Sequence, residues 1–338
     1  MVSDNNTVLV AGGAGYIGSH TAKALAGAGY PVVVFDNLSS GFREAAKFGA
    51  FVHGDIRDVD ALREAMTEHK VGAVIHFASL IEVGRSTVRP DLFYEHNVTG
   101  TATLLKAMRD CDVRRLVFSS SAAVYGHSEA ATLKEGDLKD PVSPYGDTKY
   151  ACERMIASYC RAFGLKAVAL RYFNAAGADA SGELGEAHDP ETHLIPLAIR
   201  AGLGLGKPLT VFGDDFPTPD GTCLRDYIHV ADLASAHVKA LSAPVSNDGF
   251  EAVNVGTGRG WSVLEVIKSV EKALGQPVPH SIGGRRDGDP AQLVADASRA
   301  KAVLDWTPER AALDDIVASA ARWHKDQKYG RVPAPFVG

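Results

Sequence analysis

Short apolar runs and longer amphipathic stretches alternate along the first half of the chain. Val8-Leu9-Val10, Val32-Val33-Val34-Phe35, a run ending at Val52, Ala73-Val74-Ile75-His76-Phe77, Leu116-Val117-Phe118 and Ala167-Val168-Ala169-Leu170 read as six strands. Each is short and bounded by polar or turn-forming residues. Helices fit between them at 18–28, 60–68, 97–108 and 150–163. Continuous apolar strands are buried on both faces. Their alternation with helices predicts the α/β class, a doubly wound parallel sheet of Rossmann type. A ligand crevice is then expected at the carboxyl ends of the strands.

The pattern changes near Asn174. Gly, Pro and Asp become frequent from 177 to 226, while apolar runs persist at Leu194–Leu197 and Leu209–Phe212. This predicts a nucleotide-binding domain over 1–176 and a smaller substrate-binding α/β region over 177–338. A segment near 227–255 is expected to return to the first domain. Two further helices fit 230–241 and 262–274.

Composition narrows the picture only a little. The chain has 338 residues, 46% hydrophobic and 22% charged, as in ordinary globular proteins. A net charge of −6 argues against broad nucleic-acid binding. No apolar window long enough for a membrane span is present. Met1–Asn6 lacks the basic and apolar regions of a signal peptide, so a cytoplasmic location is expected. Cys111, Cys152, Cys160 and Cys223 show no metal-ligand spacing and are expected to be free thiols.

Chemistry enters at the first strand–helix turn. Gly12, Gly15 and Gly18 are spaced G-x-x-G-x-x-G after Val8–Val10. Such glycines allow a tight turn, close approach to a pyrophosphate and close helix packing, and the helix N-terminus favours anions. Asp36 ends the second strand. A carboxylate there accepts hydrogen bonds from a ribose 2′-hydroxyl and repels a 2′-phosphate, which favours NAD over NADP. Farther on, Tyr145 and Lys149 stand four apart in SPYGDTK. The first turn after Pro144 can be helical, which puts both on one face. A nearby ammonium favours the phenolate and so an acid/base role for the tyrosine. His76 reads as a strand-end histidine with a satisfied hydrogen bond. The twelve histidines show no His-x-x-x-His pattern, and no metal is expected.

Together, Gly12–Gly18, Phe35–Leu38, His76–Ala78, Ser119–Gly126, Ser143–Lys149 and Leu170–Gly177 resemble the extended short-chain dehydrogenase/reductase superfamily. His188–Pro196, Asp220–Val230 and Arg285–Pro290 extend the resemblance to its UDP-glucose 4-epimerase family. The resemblance implies interconversion of UDP-glucose and UDP-galactose by transient oxidation at sugar C4 with tightly bound NAD. It implies catalytic roles for Ser121, Tyr145 and Lys149. Tyr145 would be the acid/base group, and Lys149 would hold the nicotinamide ribose and lower the phenol pKa. Gly12, Gly15, Tyr16, Ile17, Gly18, Asp36, Asn37, Asp55, Ile56, Phe77, Ala78, Asn97 and Phe173, with Tyr145 and Lys149, match cofactor positions. Asn174, Leu194, Arg225, Arg286 and Asp289, with Ser121 and Tyr145, match UDP-sugar positions. A homodimer through the helices at 97–108 and 150–163 is also implied.

The chain departs from the family pattern at Ala11, where threonine is frequent, and at Ile81, where some members have lysine. Leu293 aligns with a residue that limits sugar size, and leucine there is intermediate. A 4,6-dehydratase would carry an Asp-Glu pair after Ser121, where Ala122-Ala123 stand. A 4-epimerase of UDP-N-acetylhexosamine, UDP-xylose/arabinose or UDP-glucuronate shares the same catalytic set. A non-catalytic NAD sensor on this fold is the reading from a different class.

Overall fold

The computed structural model describes residues 6–128, 130–286 and 289–330. The first half builds β1 (Thr7–Ala11), α1 (Tyr16–Gly27), β2 (Val32–Asp36), β3 (Ala50–His53), α2 (Val59–Glu68) and β4 (Val71–His76). It continues with α3 (Val83–Val88), α4 (Pro90–Phe93), α5 (Gly100–Asp110), β5 (Arg115–Ser121), α6 (Pro144–Phe163) and β6 (Lys166–Tyr172). The second half carries β7 (Asn174–Ala176), α7 (Leu194–Gly202), β8 (Leu209–Phe212), β9 (Leu224–His229), α8 (Val230–Ala240) and β10 (Phe250–Val255). It ends with β11 (Gly260–Ser262), α9 (Val263–Leu274), β12 (His280–Gly283), β13 (Gln292–Leu293), α10 (Ser298–Leu304) and α11 (Leu313–Lys325).

Seven parallel strands form the main sheet in the order β10-β6-β5-β4-β1-β2-β3. Both faces are apolar. Val8, Val10, Val34, Ile75, Val117 and Val168 pack toward one layer, with α1 and α8. Leu9, Ala11, Phe35, Val74, Leu116 and Phe118 pack toward the other, with α2, α5 and α6. β10 joins the sheet from late in the chain and pairs with β6 at six positions, from Phe250↔Ala167 to Val255↔Tyr172.

A smaller sheet, β11-β9-β13 with β7 on β9, packs under α7, α9 and α11. The β8–β12 pair is separate. Short polar-flanked strands such as Gln292–Leu293 carry too little periodicity to be read ahead of the fold.

Helix ends follow local chemistry. Ser143 caps α6 by accepting from Gly146 N at 3.2 Å, Pro144 occupies the first turn, and Gly164 closes the helix in the left-handed region. Ser262 and Glu265 form a reciprocal capping box on α9. The helix expected over 97–108 is divided. A π-helical turn, Tyr94–Thr99, links α4 to α5 and buries Asn97. Such turns project side chains that a regular helix would not.

Candidate active site

Every strand of the sheet's central half ends on a candidate residue. β1 runs into Gly12, β2 ends at Asp36, β4 leads to Phe77, β5 ends at Ser121 and β6 leads to Phe173.

Gly12 has φ +78°, and an added Cβ would stand 2.5 Å from Ala78 N. At Gly18 it would meet Gly12 O at 2.2 Å. No side chain fits either place. Gly15 is the N-cap of α1, with no side-chain cap. The first-turn N–H groups of Tyr16, Ile17 and Gly18 therefore have no acceptor within their helix. Tyr16 turns its hydroxyl away, to Gly177 O at 2.6 Å, and burial pushes its pKa up. The side chain of Ile17 packs on the core beneath.

Asp36 accepts from Ala14 N at 2.9 Å and Leu38 N at 2.8 Å. One bond on each oxygen leaves lone pairs for further donors. Asn37 donates to Asp55 at 2.9 Å, and Arg57 holds the Asp55 carboxyl well below the usual range. Ile56 is buried against Gly100. Phe77 N and Ala78 N donate to Ala11 O at 2.7 and 3.0 Å. Asn97 accepts from Leu80 N at 2.8 Å and donates to Leu80 O and Thr148 Oγ1 at 3.1 and 3.0 Å. Its amide shapes the loop after Ala78. A cradle closed to any Cβ, an uncapped helix start and an acidic strand end fit a dinucleotide.

Tyr145 lies in the first turn of α6, 9% exposed, and its N–H donates to Ser86 Oγ at 3.2 Å. Ser121 hydrogen-bonds the phenol and lowers its pKa, but burial outweighs this and the net shift is upward. Lys149 is 1% exposed, with Nζ 5.9 Å from the Tyr145 ring centroid. It donates to Ser79 Oγ at 2.9 Å and Ser119 O at 2.8 Å. Burial brings the ammonium down to about 8. The net shift of the phenol is thus upward in the protein alone, because burial outweighs the Ser121 bond. Desolvation of both groups dominates in the protein alone.

His76 Nε2 bonds Thr101 Oγ1 at 3.0 Å, while its Nδ1 has no partner. Burial and Lys149 hold the ring neutral, with a pKa near about 3. The hydrogen bond expected of this strand-end histidine is present, and its other ring nitrogen is left over.

The second half supplies the remaining candidates. Asn174 donates to Asp226 O at 3.1 Å. Leu194 opens α7. Arg225 donates to Leu224 O and Pro290 O, both at 2.9 Å, and its Nη2 lies 3.6 Å from Asp289. Arg286 stacks 3.8 Å over the Phe212 ring, and its carbonyl accepts from Asp289 N at 3.3 Å. Asp287 and Gly288 of the Arg285–Pro290 motif lie outside the described residues. Leu293 pairs with Arg225 across β13–β9 and shares an apolar cluster with Phe173 and Tyr150. That cluster joins the smaller sheet to α6.

Several participants were not singled out from sequence. Ser79 and Ser86 hold Lys149 and Tyr145 from a loop and a short helix without distinctive spacing. Behind the serine run, Ser120 donates to Glu153, which forms a bidentate pair with Arg171. The expectation of no metal meets a grouping that no short motif shows. Glu186, His188, Glu191 and His193 bring ligand atoms within 4.8 Å of one another.

The NAD dependent epimerase/dehydratase family pattern matches residues 8–256. The chain belongs to that family. It is 50% identical over 318 residues to the UDP-glucose 4-epimerase of Rhizobium leguminosarum bv. trifolii, covering 94% of this chain and 97% of that one. The crystal structure of UDP-glucose 4-epimerase from Brucella ovis in complex with NAD superimposes with a TM-score of 0.91 at 51% identity, covering 94% and 98%. The epimerase from Bifidobacterium longum in complex with NAD+ and UDP gives 0.90 at 39% identity, covering 95% and 98%. The glycine turn follows the carboxyl end of β1 and the serine run ends β5, two interior strands of the main sheet.

Proposed function

We propose that this protein interconverts UDP-glucose and UDP-galactose. The carrying observation is the Ser121–Tyr145–Lys149 group, with Tyr145 and Lys149 buried, beside a turn shaped for a dinucleotide, in a chain half-identical to UDP-glucose 4-epimerases.

We assign NAD to residues 6–176 together with the returning 230–255 segment. Gly12, Gly15 and the first turn of α1 take the pyrophosphate, and Asp36 takes the adenosine ribose. NAD, when bound, supplies the hydride acceptor and donor for sugar C4, with a positive nicotinamide. Tyr145 takes the 4-hydroxyl proton and returns it, with Ser121 holding the sugar oxygen. Lys149 stabilises the phenolate and orients the ribose. Arg225 and Arg286 hold the diphosphate of UDP, since guanidinium pairs with phosphate oxygens through parallel bonds, and Asp289, a carboxylate, accepts from hydroxyls of the same UDP portion. Leu293, beside Arg225, bounds the sugar pocket.

A homodimer in the cytoplasm is part of this reading. The outer side of α6 carries Phe163, which is 46% exposed and in ring contact with Tyr159. Light scattering on the purified protein tests the dimer.

The deciding experiment is incubation with UDP-galactose and no added NAD, following UDP-glucose by chromatography. Conversion is expected. Absence of conversion with NAD present in the protein would overturn the reading and direct the search to UDP-N-acetylgalactosamine, UDP-xylose and UDP-glucuronate.

A further inference from the structure

We propose that Glu186, His188, Glu191 and His193 form a binding site for one zinc-like divalent transition cation on the loop leading into α7. The site contains none of Ser121, Tyr145 and Lys149, but it lies in the His188–Pro196 segment and adjoins Leu194.

Geometry is the first ground. His188 Nδ1 lies 3.0 Å from Glu186 Oε1, His193 Nδ1 bonds that same oxygen, and His193 Nδ1 is 3.5 Å from Glu191 Oε1. All four ligand atoms fall within 4.8 Å of one another. A tetrahedral zinc ion with bonds near 2.0–2.1 Å needs ligand separations of about 3.3 Å. The widest separation allowed by the cluster, 4.8 Å, must close by about 1.5 Å to reach that arrangement.

The donor set is the second ground. Two imidazole nitrogens and two carboxylate oxygens suit zinc or cobalt, whereas magnesium and calcium prefer all-oxygen shells.

Burial is the third. The Glu186 and Glu191 side chains are 3% and 1% exposed, while His188 and His193 are 21% and 44% exposed. The carboxylates form the floor, and the imidazoles line an entry. Glu191 Oε1 is fixed by Thr192 N and His193 N at 2.8 and 2.9 Å. Its Oε2 is buried with no hydrogen bond, and Arg200 Nη2 stands 3.9 Å away. Arg200 gives that oxygen a counter-charge but no hydrogen bond, which leaves room for a closer cation.

The supports around the loop are rigid. Trp323 Nε1 donates to Glu186 O at 2.7 Å. The His188 ring meets Tyr16 edge-on at 6.1 Å. A bound cation would pin the start of α7 to the segment beside the glycine turn.

The test uses the full-length protein with its cofactor, stripped by a chelator and titrated with Co²⁺ and Zn²⁺. One equivalent of Co²⁺ is expected to give the intense visible bands of tetrahedral coordination, bleached by Zn²⁺. Zinc retained after dialysis is expected at one per chain. Glu186→Gln and His188→Asn should each weaken zinc binding by more than about tenfold, since even supporting groups around metal ligands have effects of that size. Wild type that shows only octahedral cobalt and retains no zinc overturns the proposal. So does equal zinc retention by wild type and His188→Asn. Either result makes the cluster an ion-pair network alone. The wild-type cobalt spectrum decides even where a variant fails to fold.

Discussion

Lys149→Met isolates the electrostatic part of the site. The ammonium lies 5.9 Å from the Tyr145 ring centroid, and both groups are buried. With an effective dielectric constant of about 20, a unit charge at that range favours the phenolate by about 3 kcal/mol, or roughly two pKa units. If phenolate is the proton acceptor, kcat near pH 7 should fall about a hundredfold. The pH dependence carries a sign. Lys149 titrates near about 8 in the folded protein. The wild-type advantage should therefore be full below that value and shrink as the pH rises through it. Stability gives a second sign. The folded pKa lies below the unfolded value of about 10.4, so the unfolded chain binds more protons between the two and stability rises with pH across that window. The variant should lack that rise. The assay is kcat for UDP-galactose from pH 6 to 10, with bound NAD quantified after denaturation. A variant holding its NAD and keeping kcat within threefold of wild type at pH 7 would refute the argument. So would a ratio that does not change with pH.

Tyr145→Phe removes the proposed proton carrier, and kcat should fall by about 10²–10⁴ with NAD content unchanged, read by the same two assays. Gly12→Ala forces a side chain into φ +78° and a 2.5 Å approach to Ala78 N. It should cost about 1–2 kcal/mol in backbone strain alone, and chromatography of the denatured protein should show lost NAD. Glu153→Ala strands Arg171, which is 4% exposed. Urea unfolding should show a loss of about 3–5 kcal/mol, and a loss under 1 kcal/mol would count against a buried pair.

The legible part of the fold was the part written in long signals. Val8–Val10, Val32–Phe35 and Ala167–Leu170 are buried on both sides and can be little else. The smaller sheet was not legible, because β7, β11 and β13 have two or three residues each and owe their pairing to β9. α7 hid in an apolar run interrupted by Pro196, which is tolerated because it falls in the first turn. The α5 start was misplaced because a π turn keeps helical composition while shifting the side chains. At the site, Tyr145 and Lys149 were visible through their spacing. The upward shift of the phenol was not, since desolvation depends on the tertiary surroundings. Glu186 and its histidines were hidden for a simpler reason. Their spacing follows a loop, and a loop has no period.

The crossing of β10 back to β6 has a consequence for how such a gene can be cut. A fragment stopping at Ala176 would leave β6 as a bare sheet edge, with the donors and acceptors of alternate residues along a six-residue span facing water. Exposed edges of that kind recruit other chains. The nucleotide-binding half is therefore not a detachable cassette, and the intervening stretch behaves as an insertion within it. Recombination between relatives should keep function only when both crossings, the exit after β6 and the return at β10, come from the same parent.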